Sequence, residues 1–210
     1  MSAGAAEMVE QQLRRRGIRD QRVLNAMLLI PREEFIPENL RGEAYSDAPL
    51  AIGHGQTISQ PYMTALMAEL LELRGNEKVL DVGTGSGYHA AVLGALTREV
   101  ISIERIPELA EIARENLRRT GLDGNITVMC GDGSVGVPQL EPFDAISVAA
   151  AAPATPPTLL AQLRDPGTLV IPAGTRKDQE LQVVRKENGE IRTRVVSGCR
   201  FVPLLGREAF

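Results

Sequence analysis

Residues 78–96 read KVLDVGTGSGYHAAVLGAL, and this stretch decides the fold class. The opening KVLDV is a short apolar run that predicts a buried strand. Glycines at 83, 85 and 87 follow it, and the residues from 86 onward have the composition of a helix. A strand that passes through glycines into a helix is the first unit of a parallel α/β sheet, so we expect such a sheet here.

The alternation of strand and helix continues to residue 174. Further strands are predicted at 99–104, 126–132, 143–150 and 167–174. Further helices are predicted at 107–121 and 156–163, each with proline at its start. Strands that alternate with helices favour a parallel sheet covered on both faces.

The N-terminal region departs from this alternation. Residues 3–16 have helical composition, and Gly17 is a natural stop. Asp20 is expected to cap a second helix that runs to Met27. Residues 31–52 contain several prolines and are expected to be irregular.

The C-terminal region also changes character, because no helix is predicted after residue 178. Residues 180–197 predict a hairpin that turns at Asn188-Gly189. The segment RFVPLLG, at 200–206, is expected to be extended. It either docks on the core as an apolar strand or offers backbone groups at Val202 and Leu204 to a peptide, and both can hold.

These features predict one α/β domain over residues 1–210. Its sheet is expected to be doubly wound, mostly parallel and Rossmann-like, with an N-terminal helical extension and an antiparallel C-terminal edge. We expect helices and a functional loop in 1–60, the cofactor-binding core in 61–175, and the hairpin with a substrate-binding segment in 176–210.

The composition limits the partners to expect. The chain has 210 residues, 43% of them hydrophobic, a net charge of −4 and a pI of about 5.4. This acidic balance gives no reason to expect nucleic acid or an anionic membrane as a partner. No apolar run reaches the roughly 18 residues of a membrane span, and no long apolar helix demands a partner, so we expect a monomer.

Few residues suit metal binding or disulfide formation. Cys130 and Cys199 stand far apart without a CxxC pattern, and the chain has only two histidines. We therefore expect no metal site. The two thiols are expected to be reduced core residues of a cytoplasmic protein.

Three polar or glycine-rich segments follow successive predicted strands, at the edge where such sheets bind ligands. After the glycine loop come Glu104, suited to accept both ribose hydroxyls, and Asp132-Gly133, suited to an adenine amine and ring. Each has a simpler explanation: close packing for the glycines, a solvated charge for Glu104, a turn or helix cap for Asp132. Their position at three successive strand ends favours a nucleoside site.

The glycine spacing decides between cofactors. A dinucleotide loop has the pattern G-x-G-x-x-G, but here the pattern is G-x-G-x-G, and Tyr88 stands where the dinucleotide loop has glycine. The carboxylate of Asp81 would repel a pyrophosphate and would suit an ammonium group. S-adenosylmethionine has an ammonium, a ribose and an adenine without a phosphate, so we expect it as the cofactor.

A polar segment without formal charge, GHGQTISQP at 53–61, precedes the apolar helix that Pro61 is expected to begin. The unpaired N–H groups and the dipole of a helix N-terminus attract a carboxylate. Ser59 suits a helix cap as well as a ligand contact. His54, between two glycines, is expected to be a surface or packing residue.

Several segments together are similar to the protein-L-isoaspartate O-methyltransferases, over roughly residues 8 to 206. The glycine loop LDVGTGSGY is shared by many methyltransferases, whereas GQTIS at 55–59 together with RFVPL is specific to this family. Other shared segments are AYSDAPLAIGHGQTISQPYM, IERIPELAEIARENL, GDGS and FDAISVAAAAP. The resemblance implies a class I methyltransferase sheet.

The resemblance implies methyl transfer from S-adenosylmethionine, which becomes S-adenosylhomocysteine, to the free α-carboxyl of isoaspartyl residues in damaged proteins and peptides. The ester then closes to a succinimide that partly reopens to aspartate. Ser59 is implied as the active-site residue. Implied cofactor contacts are Asp81, Gly83, Thr84, Gly85, Ser86, Gly87, Glu104, Arg105, Asp132 and Gly133. Implied substrate contacts are Gln56, Thr57, Ile58, Ser59, Val202, Pro203 and Leu204.

Three residues depart from common family choices: Ala149 for threonine, Ser197 for glycine, and His54 for an aromatic residue. They affect the fine geometry and not the reaction.

The implied reaction needs no general base. An α-carboxyl group has a pKa of about 3.5, so it is ionised at neutral pH and has no proton to lose. The protein must instead hold the anion in line with the methyl group and exclude water. Because segment 53–61 has no cation, we expect neutral donors to position the carboxylate without suppressing its nucleophilicity.

Other functions fit the sequence less well. An enzyme that methylates base amines usually has a polar residue, two prolines and an aromatic after the fourth strand, whereas this chain has alanines at 149–152. Tyr88 and Asp81 weigh against an NAD-dependent dehydrogenase. A small-molecule carboxyl or hydroxyl O-methyltransferase fits the cofactor motifs but leaves GQTIS and RFVPL unexplained.

Overall fold

The computed structural model describes residues 2–210 and centres on a seven-stranded sheet. The strands are β1 (Leu50–Gly53), β2 (Gln56–Ile58), β3 (Lys78–Val82), β4 (Glu99–Glu104), β5 (Ile126–Cys130), β6 (Phe143–Val148), β7 (Leu163–Gly174), β8 (Gln179–Glu187) and β9 (Glu190–Cys199). The order in the large sheet is β5-β4-β3-β6-β7-β8-β9. Strands β3 to β7 pair in parallel, while β8 and β9 are antiparallel additions at one edge. The mostly parallel sheet and its antiparallel C-terminal edge are confirmed.

Six α-helices accompany the strands in the described residues. They are α1 (Ala3–Glu7), α2 (Gln21–Leu29), α3 (Pro61–Leu70), α4 (Tyr88–Gly94), α5 (Pro107–Thr120) and α6 (Pro157–Gln162). Glycine with a positive φ ends α5 at Gly121, and proline occupies the first turn of α3, α5 and α6. These terminal residues are the signals from which the sequence predicts those helices.

The two faces of the sheet have separate apolar clusters, because successive strand residues point in opposite directions. On β3, Val79 belongs to one cluster, while Leu80 and Val82 belong to the other. The first cluster includes residues of helices α2 to α5, and the second includes Leu159 of α6. The sheet is therefore buried on both sides, as a doubly wound fold requires.

The N-terminal extension begins with the predicted helix, but this helix is not α-helical throughout. Helix α1 continues through a π-helical stretch (Met8–Leu13) and a 3₁₀ turn (Arg14–Arg16) to Gly17, which has a φ of 102°. The Asp20 carboxylate caps α2 by accepting from two backbone N–H groups. Helix α2 extends to Leu29, beyond the predicted end.

The stretch before α3 is more regular than the sequence predicts. Two 3₁₀ helices, Arg32–Phe35 and Glu38–Glu43, lie within the region expected to be irregular. Strands β1 and β2 then form a small antiparallel hairpin. The segment GHGQTISQP is thus the second half of a hairpin, joined by a short turn to α3.

The C-terminal hairpin turns at Asn188-Gly189, where both residues have a positive φ, as predicted. The segment 201–205 then returns to the parallel part of the sheet, where Pro203 forms a single parallel bridge with Ala151. This return places the last residues beside the ends of the central strands.

The prediction that both cysteines are core residues is wrong for Cys130, which is exposed, while Cys199 is half-buried. Cys130 ends β5, which is an edge strand of the sheet, so one side of that position has no neighbouring strand. Both thiols are free. Within residues 2–210, no helix is long and apolar enough to cross a membrane.

Candidate active site at the carboxyl ends of the strands

The glycine loop connects β3 to α4 by a backbone path that only glycine follows easily. Gly83, Gly85 and Gly87 all have positive φ values. A Cβ at Gly87 would also lie 3.3 Å from the carbonyl oxygen of Ala113 on α5. The absence of a side chain at Gly87 therefore allows α4 and α5 to pack closely. Other residues of the loop line a cavity.

Glu104, the last residue of β4, holds this loop in place. Its Oε2 accepts from Gly85 N–H at 2.9 Å, and its Oε1 accepts from Ile106 N–H at 3.0 Å. The side chain is 6% exposed and lines the cavity. Because a carboxylate has about four acceptor sites, Glu104 keeps capacity for a ligand diol while it fixes the loop.

Asp81 does not reach the cavity wall. It is fully buried, and its Oδ2 accepts from Ser102 Oγ at 2.7 Å. Its Oδ1 has no hydrogen-bond partner among residues 2–210 and lies 3.7 Å from His89 Nδ1. Burial raises the pKa of Asp81 and lowers the pKa of His89. The two groups form a buried polar pair beneath the glycine loop.

Asp132 is a cap, the simpler of the two roles that the sequence allows. Its Oδ1 accepts from both the backbone and the hydroxyl of Ser134, and its Oδ2 accepts from Arg207 N–H at 2.8 Å. Burial acts to raise the pKa of Asp132, but these hydrogen bonds outweigh it and hold the pKa below its usual range. A Cβ at Gly206 would lie 2.1 Å from Asp132 Oδ1, so glycine is required there.

Gly133 is also explained by packing, since a Cβ at this position would lie 2.6 Å from Val82 Cγ1. It nevertheless lines the cavity. Gly133 therefore forms part of the wall, and Asp132 beside it anchors the C-terminal segment.

The principal cavity lies over the ends of β3, β4 and β6 and has about 620 Å³ of empty space, its open mouth included. Its lining includes ten of the residues singled out from the sequence: Gln56, Thr57, Gly83, Gly85, Glu104, Arg105, Gly133, Val202, Pro203 and Leu204. Apolar Val82, Ile103 and Ile106 complete much of the wall.

A smaller cavity adjoins the first and shares Thr57, Gly83, Gly85 and Ala149 with it. Four more of the predicted site residues line it: Ile58, Ser59, Thr84 and Ser86. His89 also lines it, although the sequence analysis assigned this residue no role. Asp81, Gly87 and Asp132 line neither cavity.

An open groove reaches the same point from the protein surface. Thr57, Ser59 and Ala149 line both this groove and the smaller cavity. The groove continues between Tyr62 and Met63 on one side and residues 197–202 on the other. Ser59 therefore lies where an internal cavity meets a surface groove.

Arg32 supports this junction from behind. Its side chain is fully buried, and Nη2 donates to the Ser59 carbonyl oxygen at 2.7 Å. Nε donates to the Ala44 carbonyl oxygen at 2.8 Å. A functional role for Arg32 is not predicted from the sequence, because a single arginine in a stretch expected to be irregular gives no local sign of burial.

The extended segment offers fewer backbone groups than expected. Val202 C=O and Leu204 N–H pair with Ala151, and Leu204 C=O accepts from Phe210 N–H. The prediction that Leu204 presents its backbone to a peptide is therefore wrong, although its side chain lines the principal cavity. Within residues 2–210, the backbone N–H of Val202 and the C=O of Pro203 have no partner.

His54 lies at the tip of the β1–β2 hairpin, is exposed, and lines neither the cavities nor the groove. This confirms the prediction of a surface residue. Residues 2–210 contain no cluster of three or more histidine, cysteine or acidic side chains placed to hold a metal ion.

The residues that line the principal cavity suit S-adenosylmethionine. A glutamate faces the cavity at the end of the second strand of the α/β core, apolar side chains flank it, and the glycine loop contains no cation. A phosphate ligand would favour basic groups at the loop. The only charged side chains in the lining are Glu104 and the exposed Arg105.

Comparison with known proteins identifies relatives over the full fold. The family model described as protein-L-isoaspartate(D-aspartate) O-methyltransferase matches residues 4–209. A protein-L-isoaspartate O-methyltransferase from Methanopyrus kandleri is 54% identical over 211 residues, covering 98% of this chain and 93% of the relative. A second relative, protein-L-isoaspartate O-methyltransferase 2 from Marinobacter nauticus, is 57% identical and covers 97% of this chain and 93% of its own.

A solved structure agrees with these relatives. The crystal structure of a β-aspartate methyltransferase from Plasmodium falciparum, in complex with S-adenosyl-L-homocysteine, superposes with a TM-score of 0.83 at 32% identity. The match covers 98% of this chain and 99% of that one. With the family model matched from end to end and relatives above 50% identity, the chain belongs to the protein-L-isoaspartate O-methyltransferase family.

Proposed function

We propose that the protein transfers a methyl group from S-adenosylmethionine to the free α-carboxyl of L-isoaspartyl residues in proteins and peptides. The ester so formed begins repair by closing to a succinimide, as a backbone nitrogen attacks the ester carbonyl and methanol leaves. Family membership supports the activity. The observation that carries the proposal at the site is the position of Ser59, which lies at the junction of the internal cavity and the surface groove.

The cofactor is assigned to the two connected cavities, with its nucleoside in the larger one. Glu104 would accept from the ribose hydroxyls, and the backbone of the glycine loop at Thr84 and Ser86 would lie against the methionine portion. Gly87 would act indirectly, by allowing the loop its path between β3 and α4. When bound, the cofactor supplies an electrophilic methyl group on a sulfonium centre. Arg105 would line the mouth, and Gly133 would face the adenine.

Asp81 and Asp132 are assigned indirect roles at this site. Asp81 would favour the ammonium group from beneath the loop, since its buried Oδ1 has no hydrogen-bond partner within residues 2–210. Asp132 would act by holding the C-terminal segment in place, because three of its acceptor positions are already used by the protein.

The residues around Ser59 position a nucleophile that is already ionised. The Ser59 hydroxyl has no hydrogen-bond partner within residues 2–210, so it is free to donate to the substrate carboxylate. Pro61 begins α3 directly after this loop, and the helix dipole adds attraction for the anion. No proton transfer is needed at the attacking oxygen, so none of these residues acts as a base.

The peptide is assigned to the surface groove. Thr57 and Val202 line this groove. Gln56, Ile58 and Pro203 line the adjoining cavities and would contact the substrate where these cavities meet the groove. The unpaired Val202 N–H and Pro203 C=O would bond the peptide backbone, which makes recognition depend little on substrate side chains. This independence suits an enzyme that acts on many damaged proteins.

The decisive test uses two peptides that differ only in an aspartyl or isoaspartyl linkage, with a labelled methyl donor. We expect base-labile methyl ester on the isoaspartyl peptide alone. Equal labelling of both peptides would indicate a general carboxyl methyltransferase. Absence of labelling with either peptide would contradict the proposal.

We also propose that the chain acts as one domain and as a monomer in the cytoplasm, without nucleic acid as a partner. The net charge of −4 and the free thiols support these assignments. Light scattering after gel filtration should give the monomer mass of 22.7 kDa. A mass of twice that value, or retention on a DNA column at low salt, would contradict them.

A further inference from the structure

Arg32 has no counter-ion within the described residues. Its guanidinium is fully buried, and its two hydrogen bonds go to neutral carbonyl groups. Nη1 has no partner. None of the ion pairs within residues 2–210 includes Arg32. The carboxylate of the adjacent Glu33 accepts instead from the hydroxyl of Tyr45.

The nearby phenols do not supply the missing negative charge. The guanidinium carbon lies 4.8 Å from the centre of the Tyr88 ring. Burial raises the pKa of Tyr88 to about 12, and burial with the Glu33 hydrogen bond raises that of Tyr45 to about 12. Both rings are therefore neutral near pH 7. Burial lowers the pKa of Arg32, but a guanidinium group keeps its proton in proteins. A desolvated, uncompensated positive charge remains behind the active-site loop.

This charge acts on the loop through one peptide group. The Ser59 carbonyl that accepts from Arg32 shares its peptide unit with the N–H of Gln60, the residue that precedes α3. A charged donor on the carbonyl polarises the peptide and strengthens its N–H as a donor. Gln60 lines the groove, and its N–H has no acceptor within residues 2–210.

We propose that Arg32 is a positioning residue that holds Ser59 and also selects the ionised carboxylate of the substrate by its buried positive charge, without touching it. The loop then presents only neutral donors to the nucleophile, and the charge stays one peptide unit away. The neutral loop expected from the sequence is thus combined with a cation from 27 residues earlier in the chain. This inference rests on the proposed function.

The test compares two ligands that differ in charge. One is an isoaspartyl peptide, and the other is the same peptide with the α-carboxyl replaced by a carboxamide. Dissociation constants are measured calorimetrically with S-adenosylhomocysteine present, for the wild type, Arg32→Met and Arg32→Lys. The matched control is Arg22→Met, which removes an arginine that likewise donates to two carbonyls, those of Leu73 and Leu96, away from the groove.

We expect Arg32→Met to reduce the preference for the carboxylate peptide, measured as the ratio of the two dissociation constants, by roughly 10- to 100-fold. This is about the size of one charge–charge interaction across a peptide unit at an effective dielectric constant near 20. Arg32→Lys should retain most of the preference because it retains the charge, but should lower kcat because lysine cannot hold both carbonyls. Arg22→Met should leave the preference unchanged. Equal weakening of both ligands by Arg32→Met would mean a purely structural role and would overturn the proposal.

A second measurement needs no variant and decides the matter if Arg32→Met does not fold. The charge preference of the wild type is measured at 0.05 M and 1 M salt. A buried cation is screened little, so the preference should fall less than about threefold. Loss of the preference at high salt would attribute it to the exposed Arg16 and Arg200 of the groove and would overturn the proposal. Failure of the wild type to methylate the isoaspartyl peptide would contradict the proposed function instead.

Discussion

The two halves of the active site are built in different ways. The cofactor half uses residues that follow successive strands of the sheet, so its glycines and Glu104 are brought together by the parallel fold itself. The substrate half has a short hairpin and a helix start, and it depends on Arg32 from a distant segment for its support. The residues of the cofactor half are recognisable from local sequence patterns, whereas the substrate half depends on a contact with a distant residue. Changes to the two halves should therefore have separable effects.

Replacement of Glu104 should give the largest effect and should be confined to the cofactor half. In Glu104→Gln the carboxylate that accepts from Gly85 N–H becomes a neutral amide. The ribose hydroxyls would likewise lose a charged hydrogen-bond acceptor. We expect S-adenosylhomocysteine to bind roughly 100-fold more weakly, since hydrogen bonds to charged groups contribute about 1.5–3 kcal/mol each. Isothermal calorimetry measures this, with the exposed Glu108→Gln as control. An affinity within threefold of wild type would remove the ribose role.

Ser59→Ala should affect the substrate half alone. Removal of one neutral donor from the carboxylate should lower kcat by roughly 10- to 30-fold, with little change in cofactor affinity. Steady-state rates with an isoaspartyl peptide and calorimetry with S-adenosylhomocysteine separate the two effects. Methylation at the wild-type rate would leave Ser59 as a helix-start residue only.

Asp132→Asn should destabilise the contact between the cofactor half and the C-terminal segment, by about 1–2 kcal/mol near pH 7. The native pKa of Asp132 is depressed, so its stabilising contribution is full above the unfolded pKa of about 3.9 and disappears as the pH falls through the native pKa. The stability gap between wild type and variant, measured by urea unfolding with circular dichroism, should be constant from pH 6 to 8 and should narrow below about pH 4. A gap that widens in acid would contradict this assignment.

His54→Phe should have the smallest effect, because the side chain is exposed at a hairpin tip and the nucleophile needs no base. We expect kcat and KM within about twofold of wild type, from the same peptide assay. A loss of several orders of magnitude with an intact fold would mean that proton transfer is required after all.

The elements predicted from sequence are those with local signals. The bounds of β4 and the proline start of α5 agree with the prediction, and the Asn188-Gly189 turn lies where expected. Each depends on a terminal residue or an apolar run that acts over a few positions.

The features that the sequence analysis missed depend on distant partners. The cap role of Asp132 is visible locally, but its bond to the N–H of Arg207, 75 residues later, is not. The burial of Arg32 requires carbonyls of Ala44 and Ser59 that only the fold brings near. Exposure of Cys130 follows from its place on an edge strand, and strand order is not visible in the strand's own composition.

The return of segment 202–205 to the central strands has a consequence for synthesis on the ribosome. The glycine loop and the core of the sheet leave the exit tunnel first, and domains acquire structure as they emerge. The wall formed by Val202, Pro203 and Leu204 follows these residues in the sequence and therefore leaves the tunnel after them. A nascent chain from which this segment has not yet emerged has an incomplete cofactor cavity.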